Sequence, residues 1–223
     1  MNTGYDQKLK DIVNFSYATL QNKINGGRIN VENETSLQLH FSAILKTVGE
    51  LYEYSRNDLF SIELEKPVSL ADGTFNKSGS QKAKIDIFLS LENLETKKKH
   101  SCSIELKFFK KANLREPNNR YDVFKDIHNL ESYGAFSDIG YMIVATDHAH
   151  YVNKENYSPD TADFDFRNGK SYTAGTTLVY RTAKPYGPPV VLSNSYDFSW
   201  NEVAGGIQFL KLEVSPVKSE QEQ

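Results

Sequence analysis

A chain of 223 residues, 39% hydrophobic and 25% charged with only 7 prolines, is long enough to bury a core, and this composition excludes a disordered or fibrous protein. The formal net charge of −3 excludes a surface coated with basic residues, so any nucleic-acid contact must be local. The first ten residues have no apolar core of signal-peptide type, no later run has the length of a membrane span, and the single Cys102 gives no disulfide framework. The expectation is a soluble cytoplasmic protein without a membrane partner.

In chain order, Leu9, Ile12, Val13, Tyr17, Leu20 and Ile24 keep helical spacing up to the stop signal Asn25-Gly26-Gly27. A second helix is predicted over 33–54, on the stripe Leu37, Phe41, Ile44, Leu45, Val48, Leu51 and Tyr52. Three strand segments follow at 60–70, 82–91 and 100–109, parted by turn formers at 71–73 and 77–80 and by a polar run at 95–99. They are expected to form an antiparallel meander. A third helix is predicted over 121–136, with Val123, Phe124, Ile127 and Leu130 inward and Asp122, Lys125, Asp126 and Asn129 outward. The apolar run 139–145 reads as a buried strand. Residues 151–170 are polar and irregular, 176–181, 189–192 and 207–214 could be further strands, and the tail 215–223 is expected to fray. The pattern predicts one α/β domain over 1–223: a helical N-terminal region 5–54, a core 32–147 with a mixed central sheet flanked by helices in the order α-β-β-β-α-β, and a C-terminal β extension 170–214.

Alternation along Lys84-Ile85-Asp86-Ile87-Phe88-Leu89 puts Ile85, Ile87 and Leu89 on one strand face and Asp86 on the other. In Ile104-Glu105-Leu106-Lys107-Phe108, Glu105 and Lys107 share the face opposite the apolar residues. If these strands are hairpin neighbours, one register brings Asp86 beside Glu105 with Lys107 one pleat away. Two hard oxygen ligands beside an ammonium suit Mg²⁺ or Mn²⁺, whereas the same residues on a solvated face would make an ordinary cross-strand ion pair.

An acidic residue on one strand followed by Glu-X-Lys on the next resembles the motif of the PD-(D/E)XK, or restriction-endonuclease-like, nuclease superfamily. The resemblance spans residues 34–146, and Ile85 stands where the name-giving proline would be. It implies a Mg²⁺- or Mn²⁺-dependent nuclease that cleaves DNA with a metal-activated water, RNA not being excluded. It also implies that Asp86 and Glu105 bind the metal, that the Leu106 carbonyl adds a ligand, that Lys107 acts on the water and the transition state, and that a glutamate comes from the preceding helix. At about 100° per residue, Glu34 projects within about 40° of the centre of the second helix's apolar stripe, with Gln38 one turn on, whereas Glu32 and Glu50 point away.

Lys110, Lys111, Arg115, Arg120 and Lys125 crowd the segment after the motif and are the candidate phosphate contacts. His148 and His150 offer two imidazoles after the fourth core strand. With no third soft ligand indicated, and Cys102 pointing away on parity, they read as an ordinary loop. A double-strand cutter would be expected to form a twofold homodimer, although no segment marks the interface. The competing reading is a catalytically inactive nuclease-fold module that binds protein or nucleic acid.

Overall fold

The computed structural model describes residues 4–68, 83–203 and 206–218; the turn formers expected at 71–73 and 77–80 and the last residues of the tail lie outside these. Helix α1 (Tyr5–Asn25) buries the stripe Leu9, Ile12, Val13, Tyr17, Leu20 and Ile24 and stops before Gly27, whose φ of +64° favours glycine. Helix α2 (Glu34–Glu50) starts at a capping box in which Asn33 accepts the Ser36 N–H and Ser36 Oγ accepts the Asn33 N–H. It ends four residues before the position the spacing predicts, leaving Leu51 and Tyr54 exposed, because the chain turns there to enter the sheet. The Glu53 carboxylate accepts the Phe60 N–H at 2.8 Å on the way.

Strands β1 (Asp58–Val68), β2 (Ala83–Asn93) and β3 (Lys99–Phe109) form the antiparallel meander that the turn signals predict. Helix α3 (Glu116–Glu131) then crosses over to β4 (Ile139–Thr146), which pairs parallel to β3 and is buried along its whole length. The short α4 (His150–Asn153) follows. The two-residue strands β5 (Ser171–Tyr172), β6 (Thr177–Leu178), β7 (Val190–Val191) and β8 (Tyr196–Asp197) pair as β5 with β8 and β6 with β7. Strands β9 (Trp200–Val203) and β10 (Ile207–Val214) return to the main sheet, whose order is β1-β2-β3-β4-β10-β9. The molecule is thus α/β, with a mixed six-stranded sheet flanked by helices. Among the described residues no helix is long and apolar enough to cross a membrane.

Each face of the sheet has its own core. Leu20, Leu37, Phe41 and Leu45 of α1 and α2 pack on Ile87, Leu89, Ile104 and Leu106. On the other face, α3 lies between Met142, Val144 and Leu210 of the sheet and an aromatic layer of Phe164, Phe166, Phe198 and Trp200. That layer is drawn partly from the 151–170 segment whose polarity suggests an irregular loop.

The second cover corrects the expected orientation of α3. Asp126 and Asn129, expected outward, are buried, as are Asn119, Arg120 and Glu131: Asp126 meets Lys107 of the sheet, while the extension covers Arg120 and Glu131. Glu131 Oε1 accepts from the Asn194 N–H at 2.8 Å and Tyr196 Oη at 2.7 Å, fastening the extension to α3. The helix also begins five residues earlier than predicted, with Pro117 in its first turn, and gives way to a 3₁₀ turn at Ser132–Ala135. Nor does the tail fray up to residue 218: the Val217 N–H donates to the Glu131 carbonyl at 2.7 Å, and Lys218 pairs with Asp138 at 3.2 Å.

Candidate functional site

The site lies where β2 and β3 part. Their backbone register runs from Glu92↔Lys99 to Ile87↔Ile104. One residue further, the Asp86 carboxylate takes over from the backbone, and its Oδ2 accepts the Leu106 N–H at 2.7 Å. On the other side of β2, the β1 ladder has Leu64↔Ile87 and Lys66↔Ile85 flanking Glu65, which has the left-handed φ of +52°. For a non-glycine residue that conformation is held only where its surroundings impose it. The side-chain alternation of β2 breaks over the same stretch. Ile85 packs in the core on the α3 side while Ile87 and Leu89 pack on the α1–α2 side, which corrects the expectation that all three share a face.

Glu105 and Lys107 face α3, as their parity requires. Glu105 is fully buried and accepts the Tyr133 O–H at 3.1 Å. Lys107 Nζ lies 2.9 Å from Asp126 Oδ2 and donates to the Leu106 carbonyl at 3.0 Å, so the carbonyl expected as a metal ligand is engaged by the ammonium. Burial works against the Lys107 charge, but Asp126, Glu34, Asp86 and Glu105 together hold its pKa above the ordinary lysine range.

From the other side comes Glu34, the first residue of α2. Much of its surface is exposed, yet its carboxyl group is hydrogen-bonded to the Phe108 backbone and lies within electrostatic reach of Lys107, Asp86 and Asp126. Burial raises its pKa and the two aspartates add to the rise, while Lys107 opposes it. One turn on, Gln38 Nε2 donates to the Asp86 carbonyl at 2.7 Å and to Glu65 at 3.2 Å. Glu50 pairs with Lys46 on the opposite side of the helix. The structure therefore brings together Glu34, Gln38, Asp86, Glu105 and Lys107, and adds Asp126 and Tyr133, which the sequence reading missed. At about 100° per residue, Asp126 and Tyr133 fall together on one flank of the α3 apolar stripe, and that shared flank was the available signal.

Four carboxylates thus surround one ammonium. The donor chemistry fits a hard divalent cation: Asp86, Glu105 and Glu34 offer oxygen only, and the excess negative charge in a partly buried cleft is what such a cation would offset. These three acids do not form a ready-made cage, because the histidine, cysteine and carboxylate ligand atoms that lie within 4.8 Å of one another, among the described residues, belong to Glu116, His148 and His150.

The chain matches no protein-family model, no curated protein and no solved structure. What the site can do is therefore read from its own residues.

Of the candidate phosphate contacts, Lys111 and Arg115 are exposed and Lys110 and Lys125 half-buried. Arg115 leans on Tyr186 at 3.2 Å and Asp122 at 3.8 Å. Arg120 is corrected. Its side chain is buried, donates to the Thr161 and Phe164 carbonyls at 2.8 and 2.7 Å and to Thr161 Oγ1 at 2.8 Å, and stacks over Tyr157 at 3.7 Å. It braces the loop over α3 and cannot reach a phosphate.

The loop after β4 has a neighbour that the sequence does not show: the carboxylate of Glu116, a hard oxygen donor and not a soft ligand. His148 Nε2 lies 3.1 Å from Glu116 Oε1, and the two imidazole rings are 5.3 Å apart. Burial and then Lys154 push His150 down to about 4, so its imidazole is neutral at physiological pH. For Glu116, desolvation is outweighed by hydrogen bonds from its own backbone and from His148, which hold its carboxyl below the usual range. Glu116 lies 32 positions from His148, and only the α3 crossover brings them together.

Proposed function

We propose that this protein is a divalent-metal-dependent nuclease of the PD-(D/E)XK type, hydrolysing DNA phosphodiester bonds with water as the nucleophile. The observation that carries this reading is the convergence of Asp86, Glu105, Lys107 and Glu34 at the point where β2 and β3 separate. The order α2-β1-β2-β3-α3-β4 around a mixed sheet supports a restriction-endonuclease-like core. When bound by Asp86, Glu105 and Glu34, Mg²⁺ or Mn²⁺ would supply a Lewis acid for the phosphoryl oxygen and a lowered pKa for water.

The remaining roles belong to the chain itself. Lys107 keeps its proton at neutral pH, so it acts as an ammonium that orients water and offsets charge growing on the phosphoryl oxygens, not as a base. Asp126 positions it. The Leu106 N–H fixes the Asp86 carboxylate and Gln38 holds the Asp86 backbone, which keeps the metal-binding edge in place. Tyr133, its pKa pushed up first by burial and then by Glu105, stays protonated and remains a donor to that carboxylate. In the reaction a water oxygen bonds to phosphorus and releases a proton to solvent, the ester P–O bond breaks, and the departing oxygen takes a proton from solvent water, with no covalent enzyme intermediate.

The test is incubation of the purified protein with linear, supercoiled, branched and single-stranded DNA and with RNA, in Mg²⁺, in Mn²⁺ and in chelator. The expected result is metal-dependent DNA cleavage that Asp86→Asn abolishes. Absence of cleavage on every substrate, or cleavage that survives Asp86→Asn, overturns the proposal; DNA binding without cleavage would point to the inactive module.

A further inference from the structure

The loop after β4 and the first turn of α3 meet in a cluster that the proposed chemistry does not use. One ligand atom each from Glu116, His148 and His150 lies within 4.8 Å of the other two. Side-chain donors around a tetrahedral zinc ion, with bonds of about 2.0–2.1 Å, stand roughly 3.3 Å apart. The His148 Nε2 to Glu116 Oε1 distance, 3.1 Å, is already of that size, so only His150 has to close in. The buried His150 Nε2 has no hydrogen-bond partner among the described residues. A buried ring nitrogen in that condition costs free energy unless something meets it, and a water or a cation are the candidates.

The cluster is held by groups outside it. The His148 N–H donates to Thr146 Oγ1 at 3.0 Å, and that hydroxyl donates to the Phe109 carbonyl at 2.7 Å. Tyr157 Oη donates to the His150 carbonyl at 2.8 Å and its ring packs on the imidazole at 5.1 Å. Asn119 on α3 donates to Tyr151 Oη at 2.8 Å, tying the same helix turn to α4. Such outer support is what keeps metal ligands in register.

We propose that Glu116, His148 and His150 form a second metal site, separate from the Asp86–Glu105 cleft, that binds one borderline divalent cation of the zinc class. Two imidazoles and one carboxylate favour Zn²⁺ or Co²⁺ over Mg²⁺, which prefers oxygen alone. Three protein ligands leave a fourth position for water. The bound ion clips the start of α3 to the loop leaving β4, and α3 is the helix whose Asp126 holds Lys107. Glu116 supplies the only negative charge of the trio, and Lys154 and Arg120 act against a cation, so the affinity is expected to fall below that of an all-thiolate structural site.

The experiment is titration of the full chain with Co²⁺, followed by visible absorption, and with Zn²⁺ in competition with a chromophoric chelator. With excess Mg²⁺ present throughout to fill the all-oxygen site at Asp86, one equivalent of either ion is expected to bind, with the Co²⁺ spectrum taking the intense bands of a four-coordinate nitrogen and oxygen site. His148→Ala, His150→Ala and Glu116→Gln should each weaken Zn²⁺ binding by roughly tenfold to a hundredfold. Asp86→Asn should not. The wild-type Co²⁺ spectrum needs no substitution and so stands even if a variant misfolds. Octahedral-type weak bands, displacement by Mg²⁺, or loss of Zn²⁺ in Asp86→Asn with retention in His150→Ala would each overturn the site, and none of these depends on whether the protein cuts DNA.

Discussion

Lys107 ties together the chemistry and the stability of the cleft. Asp126, Glu34, Asp86 and Glu105 all favour its charge, so Lys107→Ala should lower single-turnover cleavage by about 10²–10³-fold and also lower the unfolding temperature without metal. Added Mg²⁺ should recover part of the lost stability; a variant that cuts like wild type would remove Lys107 from the mechanism. Glu34 is expected to behave in the opposite sense. Its pKa is raised in the folded protein, so the folded state binds the proton more tightly than the unfolded state, and stability falls as pH rises from the ordinary carboxylate value through the raised one. Glu34→Gln should therefore be more stable than wild type at neutral pH without metal, with the advantage vanishing in acid, and should gain less from Mg²⁺. Denaturant unfolding at several pH values, with Glu50→Gln as control, checks this. Equal behaviour of the two variants would put Glu34 outside the site.

At the scale of elements, the site depends on how closely α2 and α3 approach the sheet. Gly49 permits the first approach: a Cβ there would stand 2.3 Å from the Phe60 ring, and neither the helix nor the buried ring has room to give. Gly49→Ala should destabilise by about 1–3 kcal/mol although alanine is the better helix former, and an unfolding midpoint at or above that of wild type would contradict the packing. Helix α3 is sandwiched, which turns its polar residues into fasteners. Arg120 offers a planar fork to two carbonyls and a hydroxyl that a lysine cannot match, so Arg120→Lys should cost about 2–3 kcal/mol while leaving the salt dependence of DNA binding unchanged. A flattened salt slope in that variant would return Arg120 to the phosphate contacts.

For the molecule as a whole, the sheet separates two cores, and the acidic cluster lies where two strands of that sheet part, within reach of a helix from each face. Lys110 and Lys111 follow the end of β3 directly and Arg115 precedes α3, which under the proposed function makes them the candidate phosphate contacts. Neutralising all three together should reduce the salt slope of DNA affinity by about one unit for each lost phosphate contact, and an unchanged slope would route the nucleic acid elsewhere. The sequence by itself determined the elements whose signal is local: the periodic stripes of α1 and α2, the alternating strands with their turn formers, and the parity that sets Glu105 and Lys107 on one face. It also set Glu34 and Glu50 on different sides of the second helix, because helix geometry fixes direction within a single element, although Glu34, expected near the centre of the buried stripe, is largely exposed. Tertiary structure decided everything that depends on what covers what. Polarity made Arg120 look solvated until the aromatic layer from a distant segment closed over α3, it made Asp126 look solvated although that residue meets Lys107 of the sheet, and alternation misplaced Ile85 because the strand breaks step near Asp86. Only the crossover brings the Glu116 carboxylate beside His148. A pattern of period 2 or 3.6 states which side of its own element a residue occupies, and only long-range packing states whether that side is wet.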